Sequence, residues 1–359
     1  MFHVATFSIF LLCFGSTTPL NARQLTGRQV PVGVDPRIEL MGVVQVLADY
    51  FVVTPYTSNY KQDVINYFSA YRNHPAVQGF KNLSEAGFGF EAVPAVMLCL
   101  TDPPELDQRR PFPKTAIERT GDQQAIERWI ENLRDFAQSS QFMRFYNSHT
   151  NTYTAIVRST ESDAQKALSA LQTYSGMALS RCSLMLGLLL HDGGFATTLE
   201  HPEGVQNIAI IGPTAPVNGM PVFGPASRIA GLTWHEFSHT FVNALTQAHW
   251  DTLRLYQSLY APIAKQLTDQ AYPDWQTAVN EHIIVAITVR LLAIEQGEEA
   301  AALELQKQKD KGFIYAEALV SRLIEFENLR EQYPTLADFF PRLISVFKDI
   351  SRRTRNPGR

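Results

Sequence analysis

The sequence predicts an α+β fold in which one metal-binding helix packs against a small sheet and is followed by a mostly α-helical C-terminal lobe. Three observations predict it. Apolar residues Leu232, Phe237, Phe241 and Leu245 surround a polar cluster at 235–239 with the spacing of a buried helix. Asn207 to Pro213 is a short β-branched run closed by Gly-Pro, the clearest strand in the chain. Beyond Asp251, strand signals are few and helical ones many. With 359 residues, 45% of them hydrophobic, the chain buries one large core or two lobes.

Charge and targeting signals narrow the function classes. The net charge is only −4, and no long basic run precedes the tail at 346–359, so nothing points to a nucleic-acid partner. That tail reads as a solvated basic terminus. Val4 to Phe14 is an apolar run of signal-peptide length, too short to span a bilayer, so residues 1–22 are expected to be a signal peptide ending between Thr17 and Ala22. A lipoprotein site at Cys13 lacks the small residue normally found upstream. No transmembrane segment is expected after the signal: Leu184 to Leu190 is short, and Arg290 interrupts Ile283 to Ile294. Of the three cysteines, Cys99 and Cys182 remain in the mature chain, paired or as two separate buried thiols. No cysteine cluster is present to hold a metal.

Taken in order, residues 23–35 form a polar arm with Gly and Pro, and order begins near Pro36. Arg37 to Ala48 fits a helix, although its valines also allow a strand. Lys61 to Arg72 reads as a helix with Val64, Tyr67, Phe68 and Tyr71 inward. It stops at Asn73-His74-Pro75, which makes His74 a boundary or capping residue. Ala92 to Leu100 is a buried segment followed by a proline-rich loop. Ile117 to Tyr146 carries core residues at three- and four-residue steps, as one or two helices do. Thr150 to Tyr174 continues helical and ends at Gly176. Leu184 to Leu190 is a strand entering the turn His191-Asp192-Gly193-Gly194. The strand at Asn207 to Pro213 is either a sheet edge on which an extended peptide docks or a buried central strand. The expected division is an α+β lobe at 36–250 and a helical lobe at 251–345.

The cluster at 235–239 is H-E-x-x-H. On a helix, His235 and His239 project from one face and can share a Zn²⁺. Glu236 then stands beside the metal, placed to accept a proton from an activated water and pass it to a leaving group. A competing structural account makes Thr233-x-x-Glu236 a helix capping box, but it leaves both histidines unexplained. With 9 His in the chain, a chance H-E-x-x-H arises on the order of one time in a hundred.

A catalytic zinc site needs a third protein ligand and an open position. The extended H-E-x-x-H-x-x-G-x-x-H pattern is excluded, because Val242 and Leu245 stand where glycine and histidine belong. His249 is turned off the face. Glu281, in a helical apolar setting with His282, is costly to bury unless paired, and a metal is the obvious partner. Its alternatives as ligand are His282 and Asp274, and its structural explanation is an exposed first helical turn. Val285 stands four residues after Glu281, where a supporting carboxylate is often found. Asn243 and Arg290 are candidate outer-shell groups. Tyr315 is a candidate donor to a tetrahedral oxyanion, with packing on a helix as the competing role.

Together, Thr233 to Asn243, Asn280-Glu281-His282, Gly312 to Tyr315 and Tyr333 to Phe340 resemble a family of bacterial secreted domains of unknown function that carry a zinc-metallopeptidase motif. The likeness extends to Arg37 to Leu40, Asn73 to Val77 and Asn207 to Pro213, about residues 36 to 345. It implies a zincin-like fold and a secreted or periplasmic setting, and little about the substrate. The expected activity is zinc-dependent hydrolysis of a peptide or protein substrate. The alternatives are a non-catalytic zincin-like binding or surface protein with a structural metal or none, and hydrolysis of another amide or an ester.

Overall fold

In the computed structural model, which describes residues 30–179, 181–201 and 204–355, the chain is mostly helical with a small mixed sheet. The expected signal peptide lies outside the described residues. Strand β1 (Val32–Gly33) precedes a run of helices: α1 (Pro36–Leu47), α2 (Asn59–Phe68), α3 (Pro75–Glu85), α4 (Ala92–Met97), α5 (Lys114–Thr120), α6 (Gln123–Ser139), α7 (Phe142–Ser148) and α8 (Thr150–Ser175). Three strands follow, β2 (Cys182–Leu186), β3 (Gly194–His201) and β4 (Gly204–Ile211). The remainder is helical: α9 (Ala226–Ala248), α10 (Trp250–Leu253), α11 (Ala264–Thr268), α12 (Trp275–Gln296), α13 (Glu298–Asp310), α14 (Ala316–Asn328) and α15 (Leu336–Arg355).

Local chemistry sets the helix ends. Asp35 caps α1 by accepting from Arg37 N at 2.9 Å, with Pro36 pre-set for the first turn. This decides the helix-or-strand ambiguity of that segment. His74 caps α3 through Nδ1, which accepts from Ala76 N at 3.2 Å, so its boundary role holds. Gly176 ends α8 in the left-handed region, at φ 67°. Of the residues expected to face inward on α2, Val64 and Phe68 are buried, whereas Tyr67 is exposed.

The sheet order is β1-β2-β4-β3, with β1, β2 and β4 parallel and β3 antiparallel to β4. β4 therefore fills a central position, and β3 is the edge strand beside it, with β1 at the opposite edge. The strand expected at 207–213 is the buried one, and the edge was missed. The arm expected at 23–35 is also ordered from Val30 onward: Val30 is buried, and Val32 and Gly33 pair with Leu184 and Met185. Nor do residues 346–355 form a solvated tail. They continue α15 and bury Val346, Phe347 and Ser351.

A single apolar core runs from Val30 to Phe347, so a boundary at 250 does not separate two cores. α12 is its axis, packed on α9, α13 and α14. By length and composition this helix is apolar enough to cross a membrane, despite Arg290, and most of it is buried within the fold. Cys99 and Cys182 are separate buried thiols.

Candidate metal centre

α9 and α12 build the centre between them. Trp234, Phe237 and Phe241 are buried and anchor α9, the Trp234 indole donating to the Ala167 carbonyl of α8 at 3.0 Å. His235 and His239 lie one turn apart, with ring centroids 5.2 Å apart. α9 starts at Ala226, so Thr233 sits in its third turn and cannot cap it. The capping-box account of Glu236 fails on this geometry.

From α12, Glu281 faces both histidines. Its Oε2 lies 3.4 Å from His235 Nε2 and its Oε1 3.4 Å from His239 Nε2. One ligand atom from each of the three residues falls within a 4.8 Å cluster. Asp274 is not a ligand but the N-cap of α12, accepting from Thr277 N at 2.8 Å. Glu281 consequently lies beyond the first turn and is only 3% exposed, which removes its explanation as an exposed helix-start residue.

The environment favours a neutral imidazole at His235 and raises the carboxyls of Glu236 and Glu281. Burial, the neighbouring His239 and Lys311 hold His235 well below the usual histidine range, and the neutral ring is the form that ligates a metal. His239 Nδ1 stands 3.3 Å from Asn243 Oδ1. With Nδ1–H donating to that oxygen, Nε2 is left with its lone pair toward Glu281. Burial raises Glu281, against the pull of His239 and of a hydrogen bond from Tyr272. Burial also pushes Glu236 up to about 7, with His239 opposing and Glu281 reinforcing.

A glycine makes room for the Glu236 carboxyl. A Cβ at Gly194, the first residue of β3, would come within 2.7 Å of Glu236 Oε1 and 3.0 Å of the Ile210 carbonyl. The edge strand β3 thus begins against the carboxyl that follows the first histidine.

A family model matches residues 30–346, taking in every strand and both helices of the centre. The chain belongs to the DUF4932 family, a domain of unknown function. No curated protein and no solved structure matches it. The DUF4932 match begins slightly before the expected likeness at residue 36, which agrees with the ordered β1.

The residues of this DUF4932 domain fit a metal. Glu281 Oε2 is buried without any hydrogen-bond partner, an expensive state for a carboxylate oxygen unless a cation supplies the missing interaction. Two ligands each roughly 2.0–2.1 Å from a tetrahedral zinc stand about 3.4 Å apart, in line with both nitrogen-to-oxygen distances. Two histidines and a carboxylate are also a zinc donor set.

Other expected participants lie elsewhere. Tyr315 donates its hydroxyl to the Leu259 carbonyl at 2.7 Å and packs on His282, 5.2 Å between centroids. It is a core aromatic, not a member of the centre. His282 is fully buried, its Nδ1 2.6 Å from the Ala278 carbonyl, on a different face of α12 from Glu281. Arg290 is two and a half turns beyond Glu281 and is committed to Glu327, bidentate at 2.8 and 2.9 Å, and to Glu298. It braces α12 against α13 and α14 and supports no ligand. His249 closes α9 against Phe340.

Tyr272 was missed. It lies in the turn before α12 and lines a cavity of about 180 Å³ with His235 and Glu281. A larger cavity of about 540 Å³ opens on the other face of the sheet, lined by Leu199, Gln206 and Ile208. It contains no histidine, and Asp102 and Asp107 there stand within ion-pair distance of Arg37 and Arg134. The smaller cavity is the one with reactive groups.

Proposed function

We propose that this chain is a secreted, zincin-like, zinc-dependent hydrolase of peptide bonds, with His235, His239 and Glu281 as ligands and Glu236 as general base. The observation that carries this reading is the approach of Glu281 to both histidines of the H-E-x-x-H helix, with one carboxylate oxygen left unpartnered. Zinc, when bound, supplies Lewis acidity toward a carbonyl oxygen and acidifies water.

The protein groups divide the remaining work. Glu236, with a pKa near 7, takes a proton from the attacking water and returns it to the departing amine. Tyr272, which lines the same cavity as His235 and Glu281, donates its hydroxyl to the oxygen on which charge develops, the role the sequence suggested for Tyr315. The edge of β3 offers backbone groups to an extended substrate starting beside Glu236.

The test is metal content followed by cleavage. About one zinc per chain is expected in the native protein and none in His235→Ala/His239→Ala. Glu236→Gln should keep its zinc and lose roughly 10²–10⁴-fold in cleavage of a peptide library. Native protein that stays folded and takes up no zinc overturns the proposal. Zinc retained without any cleavage, together with unfolding when the histidines are removed, would make this a binding protein with a structural metal.

A further inference from the structure

We propose that Lys311 is a specificity-determining cation of this centre and that the substrate carries a carboxylate on the group occupying the adjoining cavity; this rests on the hydrolase reading above. The cavity runs from His235 and Glu281 to the C-terminal end of α13. Val285 and Val289, one and two turns past Glu281, give it an apolar floor, and Phe313 adds to that lining. Methylene groups suit this surface.

Beyond the centre itself, two charged side chains line the cavity, Glu304 and Lys311. Glu304 is already engaged: its Oε1 accepts from Gln308 Nε2 at 2.7 Å, and its Oε2 is 3.6 Å from Lys307 Nζ. Lys311 has no ion-pair partner among the described residues. Its neighbours do not share that freedom, since Lys309 is paired with Glu317 and Lys307 with Glu304. Complementing the end of α13 therefore does not require Lys311 as well.

The backbone at this point is fixed while the ammonium is free. The Lys311 carbonyl accepts from Gln270 Nε2 at 2.7 Å. Gly312 then turns the chain at φ 103°, against Gln266, where a side chain would be strained and crowded. Lys311 and His235 line the same cavity. A carboxylate entering the cavity meets this cation with its hydrocarbon on the valines, a charge-assisted contact beside an apolar patch. Two sources share that chemistry: the C-terminal carboxylate of a peptide and an acidic side chain within one.

The experiment uses the full mature protein loaded with zinc and a pair of peptidyl hydroxamates, one with a carboxylate arm and one with a carboxamide in its place, titrated calorimetrically at low salt. The carboxylate form should bind about tenfold more tightly. In Lys311→Met the advantage should fall to about twofold or less, with zinc content and affinity for the carboxamide unchanged. Lys311→Arg should keep it. Because Lys311 is exposed, these variants should fold. Equal binding of the two by native protein, or an advantage that survives in Lys311→Met, overturns the proposal while leaving the hydrolase reading intact. Failure of both hydroxamates to bind removes the hydrolase reading and this proposal with it. Two further hydroxamates, one with a free C-terminus and one with a blocked C-terminus and a Glu side chain, identify the source by which of them keeps the Lys311-dependent advantage. If neither does, the proposal falls.

Discussion

Two buried carboxyl groups, Glu39 and Glu281, show opposite solutions to the same physical problem. Glu39 is 1% exposed and fully served by its own chain: Oε2 accepts from the Tyr60 hydroxyl at 2.7 Å and Oε1 from Leu188 N at 2.8 Å. Tyr60 in turn meets the Tyr153 hydroxyl at 3.0 Å. Glu281 is nearly as buried, yet its Oε2 has no hydrogen-bond partner, and each of its oxygens stands 3.4 Å from one imidazole nitrogen, beyond normal hydrogen-bond length. A closed network ties α1 to α2, α8 and the chain after β2. An open one reserves bonding capacity for something the chain does not contain.

The strongest way to break this contrast is to remove each carboxyl and ask what is lost. Glu281→Ala should lower zinc affinity by more than the roughly 100-fold typical of losing an outer-shell partner, as read by competition with a chelator. Zinc affinity equal to native would make the two carboxyls equivalent after all. Glu39→Leu should leave zinc binding unchanged and destabilise the fold by about 2–4 kcal/mol in urea titrations, because the Leu188 N–H and Tyr60 hydroxyl lose their acceptor. The corresponding loss for Glu281→Leu in metal-free protein should be no more than about 1 kcal/mol.

A pH titration sharpens the same comparison. Burial raises Glu39 to about 7 from an ordinary value of 4.5. Its stabilising contribution is therefore complete below about pH 4.5 and lost as pH rises through about 7, a fall of about 3–4 kcal/mol that Glu39→Gln should abolish. An unchanged slope between native and variant would show that the network holds an ionised Glu39 at no cost. The smallest expected effect is that of Tyr315→Phe, about 1 kcal/mol of stability from the lost bond to Leu259, with no change in peptide cleavage. Tyr272→Phe, by contrast, should lower cleavage.

What could be read from the sequence follows the range of the interactions. His235 and His239 declare themselves because their relation is local, fixed by the pitch of one helix. Glu281 was reachable through the energetic cost of a buried Glu-His pair in an apolar helix, although which of three candidates faced the centre depended on where Asp274 started α12. Asn243 followed from helical spacing alone. Tyr315 and Arg290 misled because nothing in sequence tells which side of a helix or turn meets which neighbour: one hydroxyl points to Leu259, one guanidinium to Glu327. Tyr272 had no signal at all, being placed by a turn in which Ala271 adopts φ 69°. β3 was legible in part, since Phe195, Thr197 and Leu199 alternate with Ala196 and Thr198 after two glycines. β1 was too short to stand out from its polar surroundings.

The division of the centre between α9 and α12 bears on how the protein is made. His239 and Glu281 are 42 positions apart, separated by α10 and α11, and the Glu281 carboxyl meets the histidines only when α12 docks along α9. A nascent chain that has formed the first helix can present two imidazoles but no complete donor set. Zinc capture would therefore be an event of tertiary assembly, with the ion acting as a clasp between the two helices.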